Sequence, residues 1–293
     1  MHKLFFNSMK FMKNSPLLIL SAIFFCLACT CEKNNKNVNT PIEAKTDSSV
    51  SKRKIITRDI PVTMDFFQIT NLSSANVVFS NGPFKVYEKG DSAHLNTVGY
   101  EFDGGVLTIT TPMEANNDMA SFSKNEALTV HVSCPELKTV AVCATGGFEC
   151  HDTIRTDFFQ MGGLVKGQID IDCVVANKFR YESNGSTMLN VGNILCDECV
   201  VIATGDGILN LNVNAKTNGY FDIKNESMLN VNVKAPLVEG LIETKRDVNM
   251  DIDTKELQLS VLAGTVNLSG FAAKQNIKKA QLATVNNSLK SPK

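Results

Sequence analysis

Tryptophan is absent from this chain and tyrosine occurs only four times. That weakens any reading built on a wide aromatic platform for sugars or nucleobases. An excess of charge is missing too: 29 Lys and Arg stand against 30 Asp and Glu, a formal net charge of -1. Nucleic-acid binding usually needs a basic face, so no nucleic-acid partner is expected. After the first 29 residues no apolar run is long enough to matter for a membrane. The Gly/Asp nonapeptide of calcium-binding β-helices is absent, and no metal or other cofactor is expected. What is present is a chain of 293 residues, 43% hydrophobic, enough for a sizeable core in one large or two small domains.

Residues 1–28 read as a signal peptide. Lys3, Lys10 and Lys13 supply the positive start, and Pro16 to Ala28 the apolar segment. A membrane-spanning helix needs about 20 apolar residues; this run is shorter and stops at Cys29. Cys26-Leu27-Ala28-Cys29 resembles a bacterial lipobox, although that signal prefers Leu where Cys26 stands. The resemblance implies acylation at Cys29. Cys31 is the alternative, but Thr30 before it is a poorer cleavage residue than Ala28. By the same resemblance, Thr30 rather than Asp after the cysteine implies the outer membrane, with the body facing the periplasm or the cell surface. Residues 29–54 then form a lipidated tether. Their polar runs, such as Glu32 to Thr40 and Asp47 to Lys54, lack apolar periodicity and are expected to be disordered.

Residues 55–135 form an N-terminal β region. Asn76–Ser80 and Phe84–Tyr87 flank Asn81-Gly82, and Tyr100–Phe102 and Val106–Ile109 flank Asp103-Gly104-Gly105. Both patterns read as hairpins. Residues 112–126 read as a surface loop, and Leu128–Val132 as another strand.

From residue 136 to 285 the sequence repeats. One apolar column holds Phe148, Ile169, Leu189, Leu209, Leu229, Val248 and Val266. Two residues later a second holds Cys150, Ile171, Val191, Leu211, Val231, Met250 and Leu268. The intervals are 21, 20, 20, 20, 19 and 18 in both columns. Side chains two apart in a strand share a face, so these columns point inward together. The residue between them is always polar: Glu149, Asp170, Asn190, Asn210, Asn230, Asn249, Asn267. The residue after them is mostly polar: His151, Asp172, Gly192, Asn212, Asn232, Asp251, Ser269. A slip of one residue would bury the whole polar set. A second strand starts at Leu137, Phe158, Phe179, Cys199, Tyr220 and Leu257, with turns such as Ser183–Ser186 and Ala203–Gly207 between the two. Two short strands and their turns use about twenty residues, one coil of a β-solenoid, and stacked coils bury what one coil cannot. The fold expected is all-β, a β-solenoid after a hairpin-rich N-terminal region, with residues 286–293 as a tail.

With these motifs the chain resembles a bacterial family, the domain of unknown function labelled putative autotransporter adhesin, head-GIN domain. The likeness covers roughly Asp59 to Leu282. It rests on Gly104-Gly-Val-Leu-Thr-Ile109, on Val130-His-Val-Ser-Cys-Pro-Glu-Leu-Lys138, and on the Gly/Ser/Asp turn before each Leu-Asn-Val-like strand. Lys224–Ser227 and Thr244–Asp247 have lost the glycines of that turn, and no Gly-Ile-Asn tripeptide occurs. The resemblance implies a right-handed β-helix-like fold on cell-envelope lipoproteins, and no known reaction.

Six cysteines lie in the body: Cys134, Cys143, Cys150, Cys173, Cys196 and Cys199. Cys196 and Cys199 have the spacing of a redox or zinc pair, yet no second pair and no nearby His accompanies them. Buried thiols explain the pattern best, and a local Cys196–Cys199 disulfide is the alternative. Asp170 and Asp172 share an outward face, as do Asp251 and Asp253. Glycosidases need two carboxyls across a bound sugar, whereas these point the same way. The Asn column suits coil-to-coil amide hydrogen bonds, with ligand reading as the second role. The function expected is a non-catalytic binding or adhesion-type scaffold, its partners a membrane through the lipid anchor and a glycan or an envelope or matrix protein. The candidate face is Asp170, Asp172, Asn190, Asn210, Asn212, Asn230 and Asn232. The alternative is a polysaccharide lyase or glycosidase, which requires convergent acids in a cleft.

Overall fold

The computed structural model describes residues 55–91, 95, 97–111, 128–164 and 166–292. The signal segment, the tether, both lipidation candidates and the 112–126 loop lie outside these residues. Among the described residues no helix is long and apolar enough to cross a membrane.

Among the described residues fourteen strands form one continuous sheet. They are β1 (Ile55–Ile60), β2 (Gln68–Leu72), β3 (Asn76–Asn81), β4 (Lys85–Asp91), β5 (Gly99–Asp103), β6 (Val106–Thr110), β7 (Thr129–Cys134) and β8 (Thr139–Val142). There follow β9 (Gly147–Gly163), β10 (Gln168–Ser183), β11 (Met188–Ala203), β12 (Ile208–Asn225), β13 (Met228–Lys279) and β14 (Ala283–Asn287). From β8 onward the pairing is parallel and the chain winds as a solenoid of coils about 20 residues apart.

The apolar columns stack as their alternation requires. Phe148, Ile169, Leu189, Leu209 and Leu229 pair in succession, and Val266 pairs with Val285. All seven are core residues apart from Val285, which is half-buried at the last coil. The other run of each coil buries Val140, Met161, Tyr181, Val201 and Phe221 in one row.

This second run corrects the sequence reading at two positions. Phe158 and Tyr220 face outward and are only half-buried, while Phe159 and Phe221 are in the core. The inward partner of Cys199 is Gly219, which has no side chain to mark the column. The Phe221 ring fills that space, 3.3 Å from where a Gly219 Cβ would stand.

A second correction concerns the corner after the Cys150 column. Three residues separate Cys150 from the next core residue Ile154, two separate Ile171 from Val174 and Val191 from Ile194, and one separates Leu211 from Val213. The register shifts accordingly. Gly192 therefore does not face Asn212; Asn193 does, accepting a 3.0 Å hydrogen bond from the Asn212 amide.

The N-terminal strands belong to the same stack. β3 pairs in parallel with both β9 and β7, and β2 with both β8 and β6. The β2–β3 coil thus lies between β6–β7 and β8–β9, out of chain order. The Asp103-Gly104-Gly105 hairpin forms as expected, both glycines having positive φ. Asn81-Gly82 does not close a hairpin, because β7 sits between its two arms: parallel to β3 and antiparallel to β4. β1 and β4, antiparallel, close this end of the sheet. At the other end β14 pairs only with β13, and residues 286–290 continue the last coil rather than form a tail, with Phe271 bridged to Lys290.

Candidate functional site

The outward residue between the two apolar columns is held by strands on both sides, so successive side chains stand one coil apart. Their amides close a chain of hydrogen bonds. Asn190 Nδ2 donates to Asp170 at 2.6 Å, Asn210 to Asn190 at 2.7 Å and Asn230 to Asn210 at 2.8 Å. Asn249 donates to Asn230 at 2.8 Å, Asn267 to Asn249 at 2.8 Å and Asn286 to Asn267 at 2.7 Å. Every bond runs the same way, amide N–H toward the N-terminal end. The chain terminates on the Asp170 carboxylate, which also accepts from Gln168 at 2.6 Å. An ionised acceptor at the donor end is the favourable arrangement.

Beside this row stands the next outward row: Asn212, Asn232, Asp251, Ser269 and Ser288. Between the two lies a groove of about 870 Å³. Asn190, Asn210, Asn212, Asn230 and Asn232 line it, as the sequence suggested. Asp170 and Asp172 do not. Asp170 ends the amide chain, and Asp172 faces His151, Oδ2 to Nδ1 3.4 Å. The groove extends the other way, along Asn249, Asp251, Asn267, Ser269, Asn286, Asn287 and Ser288. The sequence signal for most of these was the column itself, continued by steps of 19, 18 and 19 residues. Asp251 is the sole charged residue in the lining, and its Oδ1 accepts from Ser269 Oγ at 3.1 Å.

The same outward row also runs back into the N-terminal strands, through Glu149, Val78, His131, Tyr87 and Asp59. Tyr87 and His131 stack with centroids 4.5 Å apart, and Lys85 Nζ lies 5.0 Å over the Tyr87 ring. Burial, then the Lys89 charge, lowers the His131 pKa below its ordinary value. Nearby, the fully buried Glu88 carboxylate takes an ion pair from Arg58 at 2.6 Å and a hydrogen bond from Tyr100 at 2.8 Å. Burial and that carboxylate together push the Tyr100 phenol far up.

The six body cysteines are free thiols, with Cys134, Cys150, Cys196 and Cys199 buried. Burial pushes Cys134 and Cys150 up to about 12. A hydrogen bond with the Cys196 thiol, then burial, raises Cys199 well above its usual value. Protonated thiols are poor nucleophiles and poor ligands. Among the described residues no three His, Cys, Asp or Glu side chains are grouped to hold a metal.

The family model described as "Putative auto-transporter adhesin, head GIN domain" matches residues 65–236. The chain belongs to this family. The match ends near Asn232, so the C-terminal half of the groove lies beyond it. No curated protein matches the chain. Several solved structures do. A protein described as a putative adhesin from Parabacteroides distasonis is 17% identical, with a TM-score of 0.63 over 80% of this chain and 98% of its own. A putative adhesin from Parabacteroides merdae is 15% identical, TM-score 0.58, over 82% and 97%. A protein described as a putative lipid binding protein from Parabacteroides distasonis is 16% identical, TM-score 0.56, over 82% and 97%. At these identities the likeness is one of fold.

Proposed function

We propose that this protein is a non-catalytic binding scaffold of the cell envelope, held by a lipid on Cys29, that takes an extended ligand along the groove beside its Asn row. The groove carries this reading: it follows the solenoid axis for several coils and presents an Asn amide at every coil. The family description, and the adhesin and lipid-binding descriptions of the structural relatives, support binding rather than turnover. Of the acids an enzyme would use, Asp251 alone lines the groove, and the others are engaged elsewhere. Asp170 ends the amide chain, Asp172 faces His151, and Asp253 pairs with Lys234 at 3.2 Å.

A glycan and matrix-protein array probed with the purified chain tests the proposal. Replacing Asn212, Asn232 and Ser269 together with Ala should abolish binding to the ligand found, with little change in the melt. Full binding by that variant would exclude the groove. Release of reducing ends or unsaturated products from a polysaccharide would establish turnover instead.

A further inference from the structure

The dimensions and chemistry of the groove narrow its occupant. From Asn190 to Asn286 there are five coil steps, about 24 Å at about 4.8 Å per step. The groove is shallow and open along its outer side, a bed for one extended polymer chain.

Hydrogen-bonding capacity points further. An Asn amide has two N–H donors and an oxygen with two lone pairs. Each inner Asn of the row spends one N–H and one lone pair on its neighbours. One donor and one acceptor per coil remain for a ligand. A hydrocarbon chain would touch the apolar floor of Val191, Leu211, Val231, Met250 and Leu268, but it would strip water from the amides of the row without replacing their hydrogen bonds. An extended peptide advances about 3.3 Å per residue and falls out of step with the coils. A pyranose in a linear chain advances by close to one coil spacing, and its hydroxyls both donate and accept.

Charge completes the selection. Asp251 is the only charged residue of the lining, and Asp170 and Asp172 stand beyond its N-terminal end. Along the groove a polyanion would meet carboxylates, with a cation, Lys290, only in the side pocket; a polycation would meet a single partner in the groove.

A small side pocket opens where the groove passes Asn232 and Asp251, and it adds Asp253, Phe271 and Lys290. Phe271 is 38% exposed although it is a large apolar side chain. A half-exposed ring beside polar groups is a platform for the C–H face of one sugar.

Building on the groove reading above, we propose that the ligand is a neutral, linear glycan lying along the solenoid axis, with one sugar ring seated on Phe271 in the side pocket. The test is calorimetry on the full chain in detergent. The probes are neutral gluco-, manno- and xylo-oligosaccharides, an oligogalacturonate, an extended Thr-rich peptide, and fatty acid. Each is measured at low and high NaCl. One neutral series should bind, more tightly with each added sugar until the groove is filled, and with no salt dependence. Phe271→Ala should weaken it about tenfold, and Asn212→Ala with Asn232→Ala should abolish it, the melts of both variants staying close to the parent. Salt-dependent oligogalacturonate binding, preference for the peptide or fatty acid, failure of every neutral series, or neutral binding untouched by both variants would each overturn the proposal. A matrix protein captured on the array and lost on groove substitution would keep the groove as a binding site while overturning the glycan. A chain that binds nothing through the groove would remove both readings.

Discussion

At the residue scale, neighbours in one strand have opposite fates. Leu209 and Leu229 are fully buried, and Asn210 and Asn230 between the apolar columns stand outward, partly exposed. Leu209→Asp or Leu229→Asp places a carboxylate in the shared core and should cost about 4 kcal/mol or prevent folding. Asn210→Ser or Asn230→Ser breaks two amide hydrogen bonds of the row and should cost about 1–2 kcal/mol. Circular-dichroism melts showing equal losses would contradict the inside and outside assignment. This alternation was fully legible in the sequence because it recurs in every coil. The column through Cys199 was not, because Gly219 carries no side chain and a flanking Tyr220 offered a false match. His131 gives a pH dependence at the same scale. Its pKa is lowered by burial and by Lys89, so the folded state holds it neutral where the unfolded chain binds a proton. Its contribution is present above the unfolded pKa of about 6.5 and is lost as pH falls. The melting temperature should drop between about pH 7.5 and 5.5, and drop less in His131→Phe.

At the element scale, each turn sits directly on the turn of the coil before it. Gly205 lies against the backbone of Gly185, where an added Cβ would collide. Gly205→Ala should therefore cost about 1–3 kcal/mol, lowering the melting temperature by roughly 2–4 °C per kcal/mol for a body of this size. An unchanged melt would show that the turns can slide apart. In the next coil Asn225, paired above Gly205, takes a left-handed conformation (φ 61°) that Gly205 does not, one that Asn tolerates, so Lys224–Ser227 turns by a different backbone path. The Asn81-Gly82 signal shows the opposite limit. Local turn chemistry specifies a reversal of the chain, but it does not specify that the two arms pair, and β7 arrives later in sequence to separate them. The corner that shrinks from three residues to one was visible only as a shortening of the repeat interval.

At the scale of the whole molecule, the two ends of the stack differ. The chain enters at β1, on an antiparallel edge that carries Arg58 and Asp59, and charges on an edge discourage strand addition. The proposed anchor precedes this end. Intact-mass analysis should find the mature chain beginning at an acylated Cys29, and Cys29→Ser should release the protein or leave it unprocessed. One acyl chain holds a protein only marginally, while two hold it firmly, so the mass should show more than one. An unmodified Cys29 in the mature chain would refute the anchor.

The stacking direction has a mechanical consequence. A pull between a ligand in the groove and the entry strand runs along the solenoid axis, in line with the hydrogen bonds between coils. All fourteen residue pairs joining β10 to β11 then bear the load at once, and each Asn of the row adds a side-chain link in parallel. A pull on the last strand meets only five pairs, opened one after another. The molecule should resist tension like a cable loaded end to end, and fray from its C-terminal strand alone.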